Sequence, residues 1–333
     1  MTKIALISAT RKKYGNYPYE NMVLEALSGE FDVELINVGV EGGGLLKYLE
    51  VPIVLWRLIK LSRRTDLDIV IRGFETSLLL NKPPVKNVFL AHHIDSSHSP
   101  AHSKVFHLIF RKFIFRRLRK VVWFVVVSKY WERYLRQKGY SHTSVVYNAF
   151  DPKEFEFTNK EISAFKRKYG LVGKPIVYLG NARKQKGVLE SFNALEGSDF
   201  HFVTSADPSL SEVNLKPPAF NLRLDHRDYL RLLKASSVVV TMSKFNEGWC
   251  RTAHEAMLCK TPVVGSGRGG MEELLEGGGQ LICKNFKDLR EKVKFATIHQ
   301  EMGKTGYQFA KNFTFERFKK DWVGIINSII DLK

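Results

Sequence analysis

Cysteine is scarce in this chain: Cys250, Cys259 and Cys283 are all that 333 residues contain. Their spacing matches no metal site and their odd number no disulfide framework, so a reducing, cytoplasmic setting is expected. Long apolar runs are missing as well. No stretch of about 18 uncharged apolar residues occurs, so no membrane-spanning helix is expected. The opening "MTKIALISAT" reads as a first strand and lacks the charged, apolar, small-residue order of a signal peptide. Acid is in short supply: 34 Asp and Glu stand against 52 Lys and Arg, a net charge of +18. The surplus is steeper in residues 1–150, with 23 basic against 12 acidic side chains, than in 151–333, with 29 against 22. Such an excess attracts something anionic: nucleic acid, a membrane surface or a phosphorylated ligand.

What the chain does have is apolar periodicity. "KIALISA", "DVELINV", "DIVIRGF", "NVFLAHHI", "VVWFVVVS" and "SVVYNAFD" read as strands, and helical stretches such as "YENMVLEALSG" fall between them. The pattern restarts at "PIVYLGNA", continues through "FHFVTSA", "VVVTMS" and "PVVGSG", and ends in an amphipathic helix, "FTFERFKKDWVGIINSIIDLK". Strands separated by helices imply parallel βαβ units. The length suits two domains of about 150 residues each. The fold class is therefore α/β, with two doubly wound domains. The polar segment 151–174 reads as their connection.

The stretch "NEGWCRTAHEAMLCKTPVVGSGRGGMEELLEGGGQLI" begins at Asn246 and carries Glu247 and Glu255 with seven residues between them. A helix is expected from near Arg251 to Leu258, stopped by Pro262. The first-turn N–H groups of such a helix, at Arg251 and Thr252, have no intrahelical partner and can receive phosphate oxygens. Glu255, one turn in, can accept two hydrogen bonds from a vicinal diol such as a ribose. Glu247, ahead of the helix, can face whatever hangs from the far phosphate. A solvated helix with incidental glutamates fits the same residues.

As a whole, the stretch resembles the nucleotide-sugar site of the family 4 retaining glycosyltransferases. It keeps Glu247, Gly248, Glu255, Ala256, Met257, Pro262, Val263, Val264, Gly269, Gly270 and Glu273 of that pattern. It departs at Trp249 (usually Phe) and at Cys250 and Lys260 (both usually Gly). "YLGNARKQKGV" resembles the family's diphosphate-binding strand end: Lys186 fits directly, and Asn181 stands where the usual Arg would be, leaving Arg183 to substitute. Fixed cations there would stabilise the charge that builds on a leaving diphosphate. "VVYNAFDPKEF", "RDYLRLLKASSVVVTMSKFNEG" and "VVVSKYWERYL" resemble further segments of the family in order.

The resemblance implies a GT-B fold: two Rossmann-like domains facing across a cleft, with the C-terminal helix crossing back to the first. It implies an acceptor domain over 1–155 plus about 313–333, and a donor domain over 156–312. Glu255 would hold ribose; Arg183, Lys186, Arg251 and Thr252 the diphosphate; and Glu247, Gly248, Gly269 and Gly270 the sugar. Gly15 and Asn16 stand in the first loop, where the family has a Gly-Gly turn. His93, with His92 as alternate, would end an acceptor-domain strand and face the donor sugar. The implied chemistry is metal-independent transfer with retention, needing no cofactor beyond a UDP- or GDP-sugar co-substrate.

Three features lie outside that pattern. "LAHHIDSSHSPAH" gathers His92, His93, Asp95, His98 and His102, whose side chains are ordinary zinc ligands. The "DLD" at 66–68 precedes a buried strand and reads as structural. Residues 104–120 carry seven cations and no acid, among them Arg111, Lys112, Arg116, Arg117, Arg119 and Lys120, with apolar residues at helical spacing; 51–64 is similar. A basic amphipathic helix can lie on an anionic membrane, or can pack its apolar stripe on the sheet and leave its cations to water or to a phosphate-bearing acceptor. The expected acceptor is accordingly lipid-linked or a glycan, with a soluble sugar phosphate as the alternative and an enzyme peripheral on the inner face of the cell membrane. A nucleic-acid-binding protein is the remote alternative, for which none of the usual motifs is present.

Overall fold

A computed structural model describes residues 1–8, 17–39, 51–92, 94, 112–206 and 211–332. They form two units, Met1–Ala149 with Phe313–Lys333, and Phe150–Asn312.

In the first unit, β1 (Lys3–Ser8), β2 (Asp32–Asn37), β3 (Ile69–Arg72), β4 (Lys86–Ala91), β5 (Trp123–Val126) and β6 (Thr143–Val145) pair in the order β2-β1-β3-β4-β5-β6. All these pairings are parallel. Parallel neighbours need crossover helices on both faces, which is why the strands read as unbroken apolar runs instead of alternating ones. The first crossover, Tyr17–Ser28, moves to one side of β1 and the second, Val51–Ser62, moves back. With right-handed crossovers the two therefore cover opposite faces. The C-terminal helix Phe315–Ile330 packs against Tyr17–Ser28, with the Tyr19 and Phe318 rings edge to face at 5.1 Å. Its N-cap is Thr314, whose side chain accepts from the Arg317 N–H.

The second unit repeats the plan. β7 (Ile176–Asn181), β8 (His201–Ser205), β9 (Phe220–Leu222), β10 (Val238–Thr241), β11 (Val263–Gly265) and β12 (Leu281–Ile282) form a parallel sheet ordered β12-β11-β10-β7-β8-β9. Strand order reverses between β7 and β10, and doubly wound sheets bind ligands at the carboxyl ends of the strands at such a reversal. Val177, Leu179, Val238, Val240 and Val264 build the core there with Leu289 and Val293.

The short strands β9 and β12 are not apparent in the sequence. The segment 151–174 is also more than a connection. It holds the helix Asn159–Lys168, started by a capping box between Thr158 and Glu161. Arg227, in the helix His226–Ala235, lies 4.0 Å over the Phe157 ring and donates to the Glu154 carbonyl. Asp228 of the same helix is buried and accepts from Lys168, the Tyr169 hydroxyl and Arg231. Burial raises the affinity of Asp228 for a proton, but these partners override it and hold the carboxyl at about 2. Phe150 and Phe155 pack edge to face, and Phe150 stacks on His254, all three within the second unit.

Candidate functional site

The reversal between β7 and β10 opens a small recess, lined by Gly180 and Asn181 at the end of β7, Thr241 at the end of β10 and Ser243 just after it, and Lys186, Cys250 and Thr252. The chain after β7 makes a short 3-10 turn, Lys184–Lys186, and then Gly187 at φ 68° before the helix Val188–Leu195. A Cβ on Gly187 would lie 2.4 Å from the Met242 carbonyl oxygen. Only glycine lets the two strand ends come this close, and that approach brings Lys186 to the far side of the recess.

Glu247 is buried there. Its Oε1 accepts from Lys186 Nζ at 2.6 Å and from the Ser243 hydroxyl. Burial works against the Lys186 charge, and the Glu247 carboxylate more than offsets it, so the ammonium is held above its usual range. Lys186 also lies 5.0 Å from the Phe245 ring centroid. Arg183, close enough to act on Lys186 electrostatically, has no ion-pair partner among the described residues. The Glu247 backbone is clamped by the glycine turn. Glu247 and Gly269 form an isolated parallel bridge, and the Gly270 N–H donates to the Glu247 carbonyl at 2.9 Å. Gly269 has φ 69°, and a Cβ on it would meet the Glu247 oxygen at 2.4 Å. The glycines that follow the glutamates in sequence are thus the surface against which Glu247 is set.

The helix Arg251–Leu258 starts at Cys250, which has φ 61° and ψ 71°. This is the left-handed region, where an L side chain is disfavoured, and it accounts for glycine being usual at this position in the resembling pattern. Lys260, the other departure from glycine, has φ 60°. Among the described residues these are the two non-glycine positions with positive φ. The Cys250 thiol is buried and pushed up to about 12, chiefly by burial and then by the Glu247 charge, so it is a neutral thiol, not a nucleophile. Glu255 is buried one turn into the helix; it accepts from the Tyr229 hydroxyl at 2.8 Å and from Arg251 at 3.4 Å. Tyr229 also reaches Thr252 Oγ1 at 3.3 Å. Burial, then Glu255, keeps the phenol well above its usual range and therefore a donor.

Several of these contributors are not apparent in the sequence. Ser243 and Tyr229 complete the two carboxylate sites; the available signal was a polar residue just past a strand end and a tyrosine in the first turn of a helix. Trp249 and His254 form a third pair. The indole N–H donates to His254 Nδ1 at 2.9 Å, and the other ring nitrogen meets the Ala310 carbonyl at 3.0 Å. The signal there was the departure from Phe to Trp, since a buried indole N–H needs an acceptor. Burial pushes His254 down to about 3, which keeps the ring neutral.

The second unit thus brings together Lys186, Arg183, Glu247, Gly248, Gly269, Gly270, Arg251, Thr252 and Glu255. His93, Gly15, Asn16, Arg111, Asp95, His98 and His102 lie outside the described residues. His92 follows β4, its ring edge to face with Tyr19 at 4.8 Å. Asp66 and Asp68 are used structurally, Asp66 with Arg64 and Asp68 with the Lys3 N–H. In the helical stretch 112–118 of the first unit, Ile114 and Leu118 are in the core, and Lys112, Arg116, Arg119 and Lys120 are exposed. No helix among the described residues is long and apolar enough to cross a membrane.

Comparison with known proteins agrees with this plan. Residues 23–154 match the family described as Glycosyltransferase Family 4, and residues 219–312 match Glycosyl transferases group 1. An uncharacterized glycosyltransferase of Methanocaldococcus jannaschii is 28% identical over 208 residues, which is 58% of this chain and 56% of the relative's own length. Among solved structures, a sucrose-phosphate synthase from Thermosynechococcus elongatus superposes with a TM-score of 0.79 at 17% identity, covering 99% of each chain. HepE of Anabaena, solved in complex with UDP-glucose, gives 0.73 at 18% identity over 98% of this chain and 100% of its own.

Proposed function

The chain belongs to the family 4 glycosyltransferases, with the GT-B fold, and we propose that it moves a sugar from a nucleoside-diphosphate sugar to an acceptor hydroxyl. The observation that carries the proposal is the recess at the β7/β10 reversal. Two residues that line it, Lys186 and Ser243, hold a buried carboxylate, Glu247, a few residues ahead of a helix that carries a second buried carboxylate, Glu255. Glu255 still has lone pairs for a ribose diol after Tyr229 and Arg251 have taken theirs. The first-turn N–H groups at Arg251 and Thr252 suit the diphosphate. Lys186 and Arg183 supply cations where charge develops as the bond from the anomeric carbon to the diphosphate oxygen breaks. Glu247 and the turn at Gly269 and Gly270 face the sugar.

The acceptor oxygen attacks the anomeric carbon on the face the diphosphate leaves, and its proton passes to a phosphate oxygen of the leaving group. Configuration is therefore retained. His93, with His92 as alternate, is the residue that would meet the sugar from the acceptor side, and Gly15 and Asn16 would contribute as well. UDP-glucose, which HepE binds, is the first donor to test. The cation excess of the first unit favours a phosphate-bearing, lipid-linked acceptor at an anionic membrane surface.

The test is calorimetry and donor hydrolysis across a panel of UDP- and GDP-sugars. One nucleotide should bind, and Lys186→Ala should slow turnover by about 100- to 1,000-fold while binding of the bare nucleoside changes little. A protein that binds no nucleotide sugar, or a Lys186→Ala variant with unaltered turnover, would overturn the reading.

A further inference from the structure

The helix Val51–Ser62 has two unlike sides. Leu58 and Leu61 are buried with Ala5, Ile7 and Val70 on the face of the first sheet. The rest of its surface leaves Trp56 62%, Ile53 45% and Leu55 40% exposed. Lys60 and Arg63 are exposed beside them, Lys60 Nζ lying 5.7 Å from the Trp56 ring centroid, and the helix contains no acidic residue. A large aromatic and two aliphatic side chains of one helix are thus left in water around the side that faces away from the sheet, which suits a covering partner.

The stretch 112–120 belongs to the same layer. Ala5 pairs with Val70, Arg72 with Phe89 and Phe89 with Phe124, so these side chains share one face of the sheet. Ile114 and Leu118 pack on Phe89 and Phe124 as Leu58 and Leu61 pack on Ala5 and Val70. Phe113 is 43% exposed there, with the Arg117 guanidinium 5.1 Å over its ring, among the exposed Lys112, Arg116, Arg119 and Lys120. Apolar side chains interleaved with cations on these two stretches, neither of which carries an acid, fit an anionic lipid surface. Lipid phosphates meet the cations, and the aromatic and aliphatic tips enter the headgroup zone. Nucleic acid would leave Ile53 and Leu55 uncovered, and a protein interface would exclude charge from its centre.

We propose that the exposed face of Val51–Ser62, through Ile53, Leu55 and Trp56, is the segment that inserts into an anionic membrane, while the cations of 112–120 on the same layer hold the surface. The proposal rests on the membrane reading given above. It is tested on the full chain with vesicles of phosphatidylcholine, with and without phosphatidylglycerol. The wild type should pellet with the anionic vesicles only, and its tryptophan emission should shift to the blue. Trp131, Trp249 and Trp322 are already buried and Trp123 is half-buried with its indole N–H on Ser144, so most of the shift should vanish in Trp56→Phe, which still pellets. Joint Ile53→Ser and Trp56→Ser should lower partitioning at least tenfold with donor hydrolysis intact, and Lys60→Glu with Arg63→Glu should do the same. If wild type pellets without a blue shift, or the serine variant partitions as well as wild type, this helix is not the inserting segment and the membrane reading stands on 112–120 alone. If wild type ignores anionic vesicles, the membrane reading falls and this proposal with it.

Discussion

At the scale of single residues, the second unit separates charge holding from charge using. Glu255 is fixed by Tyr229 and Arg251 with lone pairs to spare, so its loss should be felt in nucleotide affinity more than in stability. Glu255→Ala should weaken UDP or GDP binding by about 1–3 kcal/mol, the scale of hydrogen bonds to a charged group. Titration calorimetry checks this, and equal affinities would remove the ribose assignment. Lys260 tests a different kind of residue effect. It follows the helix Arg251–Leu258 in the left-handed region, where its N–H closes on the Met257 carbonyl and the Thr261 N–H on the Ala256 carbonyl. Such helix ends favour glycine. Lys260→Gly relieves that conformation but gives up the Tyr307 ring 4.7 Å from the ammonium. Net stabilisation of about 0.5–1 kcal/mol is expected from the balance of the two, read as a higher urea midpoint; a lower midpoint would mean the cation–ring contact dominates.

At the scale of elements, His254 ties the loop carrying Glu247 to its helix and to Ala310. It also makes this junction sensitive to acid. The folded ring is held down to about 3, against 6.5 for a free histidine. The unfolded chain therefore takes up a proton that the folded chain refuses, in the window between those values. The stability this site contributes is complete above about pH 6.5 and is lost as pH falls toward 3. Because the ring is fully buried, the loss should reach several kcal/mol, by the usual equivalence of about 1.4 kcal/mol per pH unit. Urea unfolding at stepwise pH should show the slope, and His254→Gln should flatten it while lowering stability at pH 7. A wild-type slope unchanged in the variant would place the acid sensitivity elsewhere, for example at Asp228.

At the scale of the whole molecule, the proposed function draws the positive charge that would stabilise a leaving diphosphate from Lys186 and Arg183, so turnover should survive a chelator. Activity measured with excess EDTA should equal that of untreated enzyme; strict dependence on added divalent metal would reopen the histidine stretch at 92–102. Two parallel, doubly wound sheets were legible in the sequence because strands buried on both faces leave long apolar runs, with turn residues between them. The helix Arg251–Leu258 was legible because Pro262 prevents its continuation. The Glu-x7-Glu stretch and Lys186 were singled out by their resemblance to the family pattern, which a local stretch of chain is enough to show. Strand order was not, since nothing in β7 or β10 says that they are neighbours. Nor were Ser243, Tyr229 or the Trp249–His254 pair, which reach the site from separate elements. The glycines at 187 and 269 could be read as turns but not as points of contact. Only the folded chain brings the Met242 carbonyl to one and the Glu247 backbone to the other. The cations of 51–64 and 112–120 could be counted from the sequence. Which of their apolar neighbours face the core and which face outward was decided by tertiary structure, because a helix can bury only the side that meets the sheet.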